Sequence, residues 1–308
     1  MIHTVTLNPS LDRTLRYDRL VPGEVNRASS VRVEPSGKGV NVATALRSLG
    51  VEATILVCVG GATGRALIDG LRAQGLEPLC VTLAGETRSN VTVIDDASGV
   101  TTKLNEAGAA VSDDDLAALE RLLLEGAAPG DWCVLSGSLP PGAPADTYAR
   151  LIARLRAAGV LTALDTSGEA LVAGAQAGPD LCKPNEREAF ELLGQSNTPG
   201  GAALAQAVQR SGPRRVLLTQ GAQGALWADG QAVWQAHPPA ICEINPVGAG
   251  DAALAGAVYA LQGGLAAADC LRWAVAMGSA KASAEGSAMP PRVDVERIAS
   301  RITLRRLA

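Results

Sequence analysis

The stretch Asn245-Pro246-Val247-Gly248-Ala249-Gly250-Asp251 puts a glycine-rich turn directly in front of AALAGAVYAL, a run that reads as a helix. Such a turn leaves backbone N–H groups unpaired at the positive end of a helix dipole, and its small residues let an anion approach the backbone. Gly248, Ala249 and Gly250 therefore read as an anion hole suited to phosphate. Asp251 falls in the first helical turn and has two readings. It is either an acid that stabilises the dipole or a carboxylate that takes a proton beside the phosphate.

Three further clusters carry possible chemistry. Ser36-Gly37-Lys38-Gly39-Val40-Asn41-Val42-Ala43 is a second glycine turn entering a helix, either an ordinary strand-to-helix turn or one with a cation and an amide placed to hold an oxygen-rich ligand. It lacks the Ser/Thr that a P-loop needs after Gly-Lys, and Val42 stands where a dinucleotide fingerprint needs its third glycine. In Lys183-Pro184-Asn185-Glu186-Arg187-Glu188, Asn185 and Glu188 are three apart and share a helix face. That spacing suits either a helix cap or a magnesium ion held through water. Thr219-Gln220-Gly221-Ala222-Gln223-Gly224 ends a strand with two glycines, as a hairpin bend or a nucleotide phosphate contact would.

The elements that must position these residues are written in the same sequence. IHTVTL (2–7), ATILVCV (53–59), DWCVLS (131–136), VLTALD (160–165) and RRVLLT (214–219) read as central strands of a parallel sheet, apolar on both faces. Ala/Leu-rich amphipathic segments alternate with them as crossover helices. The helix at 113–124 is the best capped, with Ser112 followed by three Asp, so that acidic run is structural. Residues 12–35 and 88–105 break the pattern: they are polar and alternate in strand fashion. If they pair with each other, they form a small antiparallel flap over the ends of the parallel strands, where ligands of α/β sheets bind. The expectation is one domain over 1–308, with a β-lid from about 12–35 and 88–105.

Composition excludes other classes. The 308 residues are 47% hydrophobic, enough for a large core, but only 3% aromatic, which disfavours a base-stacking nucleic-acid surface. The charge of -4 has no basic block to attract a polyanion or an anionic membrane. The six Cys lie singly and read as buried, reduced thiols. MIHTVTLNPS lacks a signal-peptide pattern and no run is long and apolar enough to span a bilayer, so a cytoplasmic protein is expected.

Together, Asn8-Pro9-Ser10-Leu11-Asp12, GKGVNVA, Glu86-Thr87-Arg88-Ser89-Asn90, LSGSLPPG, LDTSGEAL, KPNERE, TQGAQGA and VGAGD resemble the ribokinase-like carbohydrate kinases, and more narrowly the phosphofructokinase B group. The resemblance implies a Rossmann-type three-layer α/β/α sandwich with a β-sheet lid and, often in that family, a dimer whose lids meet. It implies ATP as co-substrate, Mg²⁺, and Asp251 as general base, with the N–H groups of Gly248, Ala249 and Gly250 on the transferred phosphoryl. Asp12, Gly39 and Asn41 match positions that hold sugar hydroxyls. Lys38, Arg27, Arg88 and Lys103 are the cations available to a sugar phosphate, Arg88 foremost because guanidinium grips phosphate in a fork. Asn90 and Ser138 add polar groups. ATP is expected beside Lys183, Asn185, Thr219, Gly221 and Gly224, with Asn185 and Glu188 near magnesium through water. Of the ketose phosphates, the resemblance of the LDTSGEAL and TRSN segments to the family implies fructose 1-phosphate rather than tagatose 6-phosphate or fructose 6-phosphate. Pro246, where the family usually has Thr or Ser, and Ser36 are departures. From another class, an NAD-dependent dehydrogenase is disfavoured, because Gly60-Gly61-Ala62-Thr63-Gly64 lacks the required glycine spacing.

Overall fold

The structure, a computed structural model, describes residues 1–194, 200–284, 286 and 288–307. The first half runs β1 (Ile2–Thr6), β2 (Ser10–Tyr17), β3 (Ser30–Ser36), α1 (Lys38–Ser48), β4 (Ala53–Val59), α2 (Gly61–Ala73), β5 (Pro78–Thr82), β6 (Arg88–Asp95), β7 (Val100–Leu104) and α3 (Asp113–Gly126). Then follow β8 (Trp132–Ser136), α4 (Thr147–Ala157), β9 (Leu161–Asp165), α5 (Gly168–Gln176), β10 (Leu181–Cys182), α6 (Glu186–Leu193), α7 (Ala202–Arg210) and β11 (Val216–Thr219). The chain closes with β12 (Ala225–Ala228), β13 (Val233–His237), α8 (Ala249–Gln262), α9 (Ala267–Ala282), α10 (Arg292–Ala299) and β14 (Thr303–Arg306).

Ten strands form the main sheet in the order β14-β13-β12-β11-β10-β9-β8-β1-β4-β5, parallel from β11 to β5. Because side chains alternate across a strand, Trp132 and Val134 of β8 join a core with α1, α8 and α9. Cys133 and Leu135 join a second core with α3, α4 and α5 on the other face. That is the three-layer sandwich. All five expected strands are present. Sequence periodicity missed β10, whose two residues are too few to show a period. It also missed the antiparallel edge β12-β13-β14. TQGAQG proves to be the β11–β12 hairpin, where Gly224 has φ +97° and a Cβ would lie 2.0 Å from Ala236 O.

Residues 12–35 and 88–105 do leave the main sheet, as a four-stranded sheet in the order β3-β2-β6-β7. The antiparallel expectation needs correction at its centre, because β2 and β6 run parallel while β2–β3 and β6–β7 are antiparallel. β2 follows the carboxyl end of β1 and β6 that of β5, and since β1 and β5 run parallel in the main sheet the two strands leave it in the same sense. Register puts Asp12, Glu34 and Asn90 side by side on one face, with Lys103 one row further along it. The opposite face carries Val31, Val33, Val91 and Leu104. Of the thiols, Cys58, Cys133, Cys182 and Cys270 are buried, while Cys242 is exposed, contrary to the expectation for it. Among the described residues, no helix is long and apolar enough to cross a membrane.

Candidate active site

Helix α8 begins at the glycine turn, and Gly248 as its N-cap has φ +81°, a left-handed conformation that glycine takes without a Cβ penalty. Ala252 N–H donates to Gly248 O at 2.9 Å, which starts the helical ladder. Ala249 N–H donates back to Pro246 O at 3.1 Å, so the expectation that it is a free donor is corrected. Among the described residues, the N–H groups of Gly248, Gly250 and Asp251 have no acceptor, which leaves three donors at the start of α8 free to meet an anion. Asn245 Oδ1 accepts from Val247 N–H at 3.1 Å and so shapes the turn around Pro246.

Asp251 is 7% exposed. Asn41, from the first turn of α1, donates Nδ2–H to Asp251 Oδ2 at 2.7 Å, which orients the carboxylate. Burial, reinforced by the nearby charge of Asp165, pushes the Asp251 carboxyl up to about 6, against the opposing pull of Lys38, the Asn41 hydrogen bond and Lys183. Helix α1 reaches this point because Gly39 presses against β1 and β8. A Cβ there would lie 2.5 Å from Thr6 Oγ1 and 2.9 Å from Val5 O.

Asp165, the last residue of β9, was not a sequence candidate, yet it organises the charges. It is fully buried, with Lys38 Nζ at 2.8 Å from Oδ1 and Lys183 Nζ at 3.1 Å from Oδ2. Burial opposes its ionisation, but Lys183 and Lys38 hold its carboxyl below the ordinary value. For Lys38, burial favours the neutral amine, but Asp165 and then Asp251 raise its pKa. The signal that could have found Asp165 is its place at the carboxyl end of a central strand inside LDTSGEAL.

Asn185 and Glu188 form a capping box on α6: Asn185 Oδ1 accepts from Glu188 N–H, and Glu188 Oε2 accepts from Asn185 N–H, each at 2.9 Å. Of the two readings of that spacing, the structure shows the cap. Glu188 is nonetheless 7% exposed. Among the described residues its Oε1 takes part in no hydrogen bond. No cluster of three or more metal-ligating side chains occurs among the described residues. This donor set fits magnesium held mainly by nucleotide phosphates, with protein contacts through water. Thr219 bridges to Asn185 at the end of β11, and Gly221 opens the hairpin with open space around its Cα.

On the second sheet, Ser10 Oγ–H donates to Asp12 Oδ1 at 2.6 Å, and Asn90 Nδ2–H donates to Asp12 Oδ1 at 3.1 Å. Arg88 Nη2–H donates to Asn8 O at 2.9 Å, and Asn8 Nδ2–H reaches Ser138 Oγ at 3.4 Å. The buried Nε of Arg88 has no partner. Arg88, Asn8, Ser138, Glu106 and Ser167 line a cleft of about 690 Å³. Burial lowers the Arg88 pKa, with Asp12 opposing, and the group remains a cation. Arg27 and Lys103 are exposed.

A buried carboxylate of raised pKa beside free N–H donors and a lysine pair, at the carboxyl ends of a doubly wound sheet, defines a small-molecule phosphotransferase. The chain matches the model of the pfkB family carbohydrate kinases over residues 5–292 and belongs to that family. It is 36% identical to the 1-phosphofructokinase of Rhodobacter capsulatus, over 99% of this chain and 98% of that protein. It is 34% identical to the ATP-dependent 6-phosphofructokinase isozyme 2 of Escherichia coli, over 96% and 97% of the two. A solved structure of phosphofructokinase-2 from Escherichia coli superposes with a TM-score of 0.92 at 33% identity, covering 97% of this chain and 98% of that one.

Proposed function

We propose that this carbohydrate kinase transfers the γ-phosphoryl of ATP to the free primary hydroxyl of fructose 1-phosphate, giving fructose 1,6-bisphosphate and ADP in the cytoplasm. The observation that carries the reading is the buried Asp251 carboxylate, held by Asn41 in the first turn of a helix whose leading N–H groups are free. In this reading Asn41 occupies Oδ2, and Oδ1 accepts the alcohol proton as the oxygen commits to phosphorus. The N–H groups of Gly248, Gly250 and Asp251 neutralise charge on the moving phosphoryl. Because such transfer passes through a loose transition state, alignment and charge stabilisation supply most of the rate. Lys38 and Lys183 would each bring an ammonium group to the phosphates of ATP, while Asp165 holds both in place. Magnesium, when bound with ATP, shields phosphate charge, and Glu188 and Asn185 would hold it through water.

Asp12, with Ser10 and Asn90, would grip sugar hydroxyls, and Arg88 with Ser138 the sugar's own phosphate. A second reading, transfer to fructose 6-phosphate, is favoured by the isozyme 2 relative, and tagatose 6-phosphate presents similar hydroxyls. A coupled ADP-release assay across fructose 1-phosphate, fructose 6-phosphate, tagatose 6-phosphate and fructose tests the choice. The highest kcat/KM is expected with fructose 1-phosphate, and a preference for either 6-phosphate transfers the assignment. We also propose a homodimer joined through the second sheet, because Val31, Val33 and Leu104 lie exposed on one face of it.

A further inference from the structure

Of the four lysines in the chain, Lys38 and Lys183 pair with Asp165 and Lys103 is exposed. Lys281 fits neither pattern. It lies near the end of α9, is 1% exposed, and has no carboxylate within 4.0 Å among the described residues. Its ammonium donates to Gly286 O at 2.8 Å. The same carbonyl accepts from Asn245 Nδ2–H at 3.0 Å, and Asn245 N–H donates to Ala282 O at 3.0 Å. The stem of Lys281 passes under the cradle, with Cε 3.5 Å from where a Cβ on Gly248 would be.

Burying an ammonium without a close counter-ion is costly, and an apolar side chain of similar length would fill this slot at lower free energy. The charge therefore has a use that packing does not explain. We infer that Lys281 is a positioning residue for phosphoryl transfer: through the Gly286 carbonyl that its ammonium shares with the Asn245 side chain, it links the end of α9 to the Asn245–Gly248 turn, and it adds a fixed positive charge behind the anion cradle. The effect is larger in the transition state, where charge on the transferred group spreads over oxygens facing the cradle. Burial lowers the Lys281 pKa, while Glu34 on β3 and Asp251 favour the charged form. The inference rests on reading Gly248–Asp251 as the phosphoryl cradle.

The test is steady-state kinetics of Lys281→Met and Lys281→Gln, with Asp251→Asn beside them, on whichever ketose phosphate the unmodified enzyme turns over best. Lys281→Gln keeps a donor for Gly286 O but no charge, and serves if the Met variant does not fold. The expected result is a fall in kcat on the order of 10-fold, one step back from a direct oxyanion donor, with both KM values nearly unchanged and a Tm that is equal or higher. A kcat within about twofold of the unmodified enzyme overturns the inference. So does a loss matched by a lower Tm and an unfolded fraction that accounts for it. If the cradle reading is itself wrong, Asp251→Asn keeps its turnover. If only this inference is wrong, Asp251→Asn is inactive and the Lys281 variants are not.

Discussion

Asp251→Asn separates what the carboxylate does for the reaction from what it costs the fold. Burial, with the charge of Asp165 nearby, pushes the carboxyl from its ordinary 3.8 up to about 6. A positioned base contributes roughly 10²- to 10⁴-fold, so kcat should fall by that factor, while Asn41 can still donate to the Asn oxygen. In the unmodified enzyme kcat/KM should rise with pH along a limb centred near 6, losing about tenfold per unit below it, and the variant should lack that limb. Stability should change in the opposite direction. A carboxyl whose folded pKa is raised gives stability that is complete below 3.8 and is lost as pH rises through 6. Near neutral pH the native protein thus carries a cost of roughly 3 kcal/mol that the neutral amide does not. The variant should melt roughly 5 °C higher at neutral pH and converge with the parent in acid. Rate profiles against pH and thermal denaturation at two pH values measure both effects. Substantial turnover in the variant, or a lower Tm at neutral pH, would refute the reasoning.

Arg88→Ala removes the guanidinium whose Nε is buried and unpartnered in the cleft. The KM for the sugar phosphate should rise roughly 10- to 100-fold, with that for ATP little changed; equal changes in both would contradict the assignment. Glu188→Gln preserves the capping geometry on α6 but removes its charge, so Tm should hold while the magnesium concentration for half-maximal rate rises several-fold. An unchanged magnesium requirement would leave Glu188 as a cap alone. Leu104→Glu puts a charge on the exposed apolar face of β7 and should convert a dimer to monomers in sedimentation velocity. A protein that is monomeric before the substitution refutes the lid dimer.

Much of the site was legible because its chemistry is local. Gly248, Gly250 and Asp251 are neighbours in the chain, so a glycine turn before a helix declares the cradle and the acid together. Lys38, Gly39 and Asn41 are similarly contiguous. Asp165 was missed because its importance comes from Lys38 and Lys183, far away in sequence on either side, and an acid ending a strand is locally unremarkable. Lys281 carried no signal, since a lysine at the end of a helix ordinarily reads as a solvated charge near the negative pole of the dipole. Ala249 was assigned a free N–H that the turn geometry returns to Pro246 O.

The sequence by itself determined the alternation of apolar strands and amphipathic helices, the two glycine turns, and the polar stretches that leave the main sheet. These follow from periodicity and backbone freedom, which are properties of short segments. The tertiary structure alone decided the parallel pairing at the centre of the second sheet and the meeting of Asn41 with Asp251. It also decided which ammonium groups find a carboxylate. Burial strengthens such contacts by removing water, and both burial and proximity arise only when segments distant in the chain are packed together.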